Sequence, residues 1–111
     1  MNEPVWIKTV KVENNGDFIS IQAYSGYNSM MADSTAVDYL FVADVLNGAL
    51  GAAVFESFKQ CRLLSYEEGN TLAQQADQFY VDWIQKIINR YDYKTRRELF
   101  MNMKSCVIEQ S

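Results

Sequence analysis

Histidine is missing from all 111 positions of the chain. Its absence excludes Ser-His-Asp and Cys-His catalysis and removes the commonest ligand of zinc and other transition metals. No Cys-x-x-Cys pair, P-loop or Gly-x-Gly-x-x-Gly turn is present either, so the usual redox and nucleotide sites are not written into the chain. No apolar run approaches the ~20 residues that cross a bilayer. The start, Met1-Asn2-Glu3-Pro4-Val5, lacks the basic and apolar regions of a signal peptide. These absences point to a cytoplasmic protein without catalysis, cofactor or metal. In that reducing compartment the two cysteines, Cys61 and Cys106, are expected as two buried thiols rather than a disulfide.

What is present suits one domain spanning 1–111. A chain this long buries roughly two-thirds of its unfolded surface, enough for one core. Hydrophobic residues make up 49% and charged residues 22%, which argues for a folded rather than a disordered chain. No repeat, low-complexity stretch or linker interrupts it. The net charge of −4 is unevenly spread. Residues 1–85 hold Lys8, Lys11, Lys59 and Arg62 against eleven acids, a balance of −7; residues 86–111 hold six bases against three acids, a balance of +3. An acidic body disfavours nucleic acid, whose binding rests on neutralised phosphates, and favours a basic protein partner.

Val5 to Val12 is rich in β-branched residues and reads as a strand. Asn14-Asn15-Gly16-Asp17 accepts the positive φ of a tight turn. Phe18 to Tyr24 alternates, with Ile19, Ile21 and Ala23 on one side, so an N-terminal hairpin follows. Residues 25–35 read as a polar loop carrying Tyr27, Met30 and Met31, and Val37 to Ala43 as a third strand. Asn47 is placed to cap a first helix over about 48–61, where Gly51 suggests close packing against a neighbour. Ser65-Tyr66-Glu67-Glu68 has the form of a capping box, which Gly69 is expected to stop early. Phe79, Tyr80, Trp83, Ile84, Ile87, Ile88 and Tyr91 then form an i, i+3, i+4 stripe on a second helix over about 71–91. Thr95 can cap a short third helix holding Leu99, Phe100 and Met103, and Val107-Ile108 suits a last strand. The expected fold class is α+β: a small antiparallel sheet, the N-terminal hairpin plus one or two strands, packed against two to three helices on one face.

Few groups invite chemistry. Glu67 and Glu68 are adjacent and Asp77 and Asp82 share a helix, but neither spacing makes two carboxylates face each other. A solvated acidic face is the favoured reading. Cys61 sits on an apolar helical face with nothing to activate it. Lys94, Arg96 and Arg97 could touch phosphate, yet a solvated face or ion pairs with the acidic body explain them as well. The Phe79–Trp83 aromatics read as core. Tyr24, Tyr27, Met30 and Met31 differ, because they lie in or beside a loop, and exposed Tyr and Met are typical interface residues.

One segment carries a family resemblance. Trp83-Ile-Gln-Lys-Ile-Ile-Asn-Arg-Tyr91 leads into Tyr93-Lys94-Thr95-Arg96, then Leu99-Phe100, then Asn102-Met103-Lys104-Ser105-Cys106. It resembles the signature of the CdiI immunity proteins of contact-dependent growth inhibition. Leu50-Gly51 through Cys61-Arg62 is similar to an upstream stretch of the same family, and the likeness spans roughly residues 40–108. Asp44 to Gly48 is less acidic than the family pattern. The resemblance implies a cytosolic protein that binds and blocks the C-terminal toxin domain of an exoprotein, often a nuclease and often one acting on tRNA. The motif marks scaffold: Thr95 as a cap, Leu99, Phe100 and Met103 in the core, Cys106 buried.

The leading reading is therefore a stoichiometric inhibitor of a basic toxin. Exposed acids, Asp33, Asp38, Glu67, Glu68, Asp77 and Asp82, supply the charge, and Tyr24 and Tyr27 the hydrophobic anchors. The rivals are a non-catalytic regulatory or adaptor domain with a different partner, and a nucleic-acid binder using Lys94 to Lys104.

Overall fold

The computed structural model describes residues 7–27 and 29–110. Part of the expected first strand, Val5 and Trp6, lies outside them. The chain runs β1 (Lys8–Asn14), β2 (Phe18–Gly26), β3 (Met30–Ala32), β4 (Tyr39–Val42), α1 (Asn47–Gln60), α2 (Tyr66–Tyr91), α3 (Arg96–Phe100) and β5 (Lys104–Gln110). The five-stranded sheet is antiparallel, in the order β3-β2-β1-β5, with β4 also pairing β2 beside β3. This is the expected α+β architecture.

The hairpin forms where the Asn-Gly pair predicts it, with Gly16 at φ +97°. Asn15 does more than turn the chain. Its side-chain oxygen accepts from the Asp17 and Phe18 amides, and its amide nitrogen donates to the Leu99 carbonyl at 3.0 Å and the Tyr93 hydroxyl at 2.8 Å. The first turn of the chain is thereby tied to α3.

Strand alternation divides the core in two. Ile19, Ile21 and Ala23 of β2 join Val10 of β1 and pack against Ala53 and Phe58 of α1. Phe18 points the opposite way and packs against Trp83, Ile84 and Ile87 of α2 and Leu99 of α3. The helices therefore cover both faces of the sheet rather than one. Phe18 is fully buried, stacked on Tyr91 at 5.1 Å and edge-on to Trp83 at 6.3 Å.

Several local expectations give way to tertiary structure. Leu46, not Asn47, is the N-cap of α1, and it makes no side-chain cap bond. Gly51 faces open space rather than a close neighbour. The capping box is real: Ser65 accepts from the Glu68 amide, and the Glu68 carboxylate accepts from the Ser65 amide. Gly69 does not end it, and α2 runs 26 residues, about 39 Å. Glycine fits there because a Cβ would lie 2.9 Å from the Cβ of Tyr27. The expected loop over 25–35 contains the three-residue strand β3. Cys61 is buried as expected, but Cys106 is exposed, because β5 is an edge strand. Thr95 caps α3 by accepting from the Glu98 amide.

Candidate functional site

The α2 face of the sheet changes character along β2. At one end Phe18 is apolar and covered. Further along, the cross-strand pairs are Glu13/Ser20, Lys11/Gln22 and Thr9/Tyr24, which offer little for a helix to pack on. Above them α2 presents Ala76, Asp77, Phe79 and Tyr80 before reaching buried Trp83. A groove of about 350 Å³ is left between sheet and helix, closed at its far side by Met30, Met31 and Ala32 of β3. A second hollow of about 210 Å³ shares Met31 and is lined by Tyr27, Tyr66, Gly69 and Ala73. There the Tyr27 and Tyr66 rings meet edge to face at 5.8 Å. Three tyrosines on this side are exposed: Tyr27 at 49%, Tyr80 at 51% and Tyr66 at 64%.

This geometry unites some of the residues singled out from the sequence and separates others. Tyr24 and Asp77 share the larger groove, and Tyr27 lies beside the N-terminal turns of α2. Glu67 is exposed on the first turn of α2. Asp82 is exposed and accepts from the Gln78 side-chain amide at 2.8 Å. Glu68 is exposed but occupied by its capping bonds. The amide and hydroxyl of Ser65 hold its carboxyl below the ordinary range.

Two of the acids are structural rather than exposed. Asp38 accepts from the Ser20 hydroxyl at 3.3 Å and pairs with Lys86 at 3.4 Å, tying the approach to β4 to α2. Asp33 is buried. Arg62 grips its two oxygens at 2.7 and 3.0 Å, Ser25 donates at 2.7 Å, and Thr35 donates from both its amide and its hydroxyl. Burial alone would raise the Asp33 pKa, but these donors outweigh it and hold the carboxyl well below the usual range. Asp33 locks the β3–β4 loop to the α1–α2 junction, which also holds the end of β2: the Gly26 amide donates to the Arg62 carbonyl, and the Gly26 carbonyl accepts from the Leu64 amide. It is not available to a partner.

Sequence reasoning missed Glu13, Phe79 and Tyr80 as groove residues. The stripe at Phe79 and Tyr80 reads as core because helical period alone does not reveal that the facing sheet is polar. Ala76 was a usable signal, since a small residue one turn before two aromatics leaves space. The electrostatics of the groove are mixed: Glu13 and Asp77 against Lys11, with Lys11 and Glu13 at 4.0 Å from each other. Among the described residues, no group of three or more Cys, Asp or Glu gathers to hold a metal ion.

Comparisons with known proteins bear on the family rather than on the groove. The family described as CdiI, CDI immunity protein, matches residues 8–111. The immunity protein CdiI-YPIII of Yersinia pseudotuberculosis serotype O:3 (strain YPIII) is 30% identical over 122 residues, covering 97% of this chain and 69% of the relative. Two solved structures share the fold. A Neisseria meningitidis protein of unknown function superposes with a TM-score of 0.85 at 26% identity, covering 98% of this chain and 69% of that one. A CdiA-CT/CdiI toxin and immunity complex from Yersinia pseudotuberculosis matches with a TM-score of 0.84 at 28% identity, covering 96% and 70%.

Proposed function

The chain belongs to the CDI immunity protein family, and from that premise we propose how it neutralises its toxin. It binds the C-terminal domain of a cognate CdiA-type exoprotein as a stoichiometric, non-covalent block. The observation that carries this reading is the likeness, over 96% of the chain, to a protein solved as a toxin and immunity complex.

We take the toxin to be a basic nuclease, with tRNA a candidate substrate. A nuclease gathers positive charge to hold phosphate, and residues 1–85 here carry a balance of −7. Opposite fields raise the encounter rate and fix orientation more than they raise final affinity. Tyr24, Tyr27 and Tyr80 then supply the amphipathic contact area that dominates interface energetics. Glu67, Asp77 and Asp82 supply exposed charge, whereas Asp33 serves the fold. No turnover by the protein alone is expected, since the chain has no histidine and among the described residues no group of three or more Cys, Asp or Glu gathers to hold a metal ion. Among the described residues no helix is long and apolar enough to cross a membrane, and we place the action in the cytosol, where a delivered toxin would work.

Co-expression with the C-terminal toxin domain of the cognate exoprotein tests the reading. Toxin alone should arrest growth, and toxin with this chain should not, with the two proteins co-purifying. Arrest that persists despite folded, abundant immunity protein would overturn it.

A further inference from the structure

The groove between the sheet and α2 has a wall chemistry more specific than a general contact patch. Aromatic rings come from Tyr24 on the sheet and from Phe79, Tyr80 and Trp83 on the helix, with a carboxylate on each wall, Glu13 from β1 and Asp77 from α2. Among the described residues Lys11 is the one base lining it, and Glu13 already lies beside Lys11. Trp83 in its floor is only 5% exposed, and its indole nitrogen has no acceptor among the described residues. A buried donor left unpaired is costly, which marks this end of the groove as incompletely satisfied.

We propose that this groove seats one cationic side chain, arginine or lysine, projecting from an extended segment of the toxin domain. The inference rests on the function proposed above and names the chemistry of its contact. A cation lies over the negative faces of aromatic rings while pairing with a carboxylate at their edge, and a guanidinium can do both at once. The volume, about 350 Å³, has room for a cationic side chain together with part of the segment that carries it. The charge of the walls selects against an acid, and the acidic body around them supplies the longer-range attraction.

The affinity of the purified full-length chain for its cognate toxin domain tests this, with Asp77→Asn, Asp77→Glu and Tyr80→Ala as variants and thermal melts as the fold control. Asp77 and Tyr80 are both exposed, so none of these should disturb the core. Asp77→Asn and Tyr80→Ala should each weaken binding about tenfold or more at unchanged melting, with Asp77→Glu restoring most of it. In protein labelled with nitrogen-15 and carrying Trp6→Phe, the remaining indole resonance, that of Trp83, should shift when toxin is added. Asp77→Asn within about twofold of wild type overturns the proposal. If Tyr80→Ala is also silent, the toxin binds another face. If Tyr80→Ala is damaging, the occupant is apolar. A wild-type chain that does not bind the toxin at all removes the functional reading itself, a result distinct from either pattern.

Discussion

Trp83 is where the two uses of α2 meet. Its ring packs against Phe18 on the core side and forms the floor of the groove on the other. Removing a large buried aromatic leaves a cavity as well as lost contacts, so Trp83→Ala should destabilise the fold by about 3–5 kcal/mol. Denaturant melts measure this, and a loss below about 1 kcal/mol would mean that the stripe is not core. Asp33 is the other decisive residue. Its folded pKa lies below the ordinary value of 3.8, so its ionised form favours the folded state. That contribution is complete above the unfolded pKa and is lost as pH falls below it. Wild-type stability should therefore drop as pH falls below about 4, and Asp33→Asn should be less stable at neutral pH with a shallower acid limb. Urea midpoints at pH 7 and pH 3 compare the two. An unchanged acid limb in Asp33→Asn would assign acid sensitivity to other carboxylates. Nothing local distinguishes Asp33 from exposed Asp44 in the sequence, because its partners Ser25, Thr35 and Arg62 meet it only after folding.

At the scale of elements, the sequence is legible wherever a short-range rule decides the outcome. The Asn-Gly turn, the alternation of β2, the Ser65–Glu68 capping box and the Thr95 cap are all local, and all form as read. Elements decided by distant contacts are not legible. β3 is three residues long and exists because Met30 to Ala32 reach the edge of β2. The placement of α1 and α2 on opposite faces depends on which side each connection crosses, and hydrophobic period is silent on that. Gly69 shows the contrast most directly. Glycine usually weakens a helix, yet here it lets Tyr27 sit against α2, while Gly51 on α1 has nothing near it. Gly51→Ala should gain up to about 1 kcal/mol from helix propensity. Gly69→Ala has the same propensity gain but must displace Tyr27, and should melt at or below wild type. If both substitutions stabilise equally, the Tyr27 contact is not holding that end of α2. The groove was illegible for a related reason: it is a mismatch between a polar sheet face and an amphipathic helix, and each looks ordinary alone.

For the whole molecule, charge is the property most easily read from the sequence, and structure decides which charges are available to a partner. The acids at Asp33 and Asp38 are committed to internal pairs, and Glu68 to its cap. Glu67 and Asp82 are exposed, and exposed charges contribute about 0–1 kcal/mol each to stability. Glu67→Lys with Asp82→Lys should therefore leave melting nearly unchanged and slow toxin association, with the effect shrinking as salt rises. Reversing Lys94, Arg96 and Arg97 should slow it less. Stopped-flow association rates separate these cases, and an on-rate that follows only the basic residues would place the contact near α3 instead. The central claim, that this chain is a stoichiometric blocker of one toxin domain, is tested most directly by titrating the toxin's activity with the purified protein. The activity should fall linearly and reach zero at one equivalent, with the inhibited complex recovered intact. Full activity in excess immunity protein, or inactivation by far less than one equivalent, would contradict it.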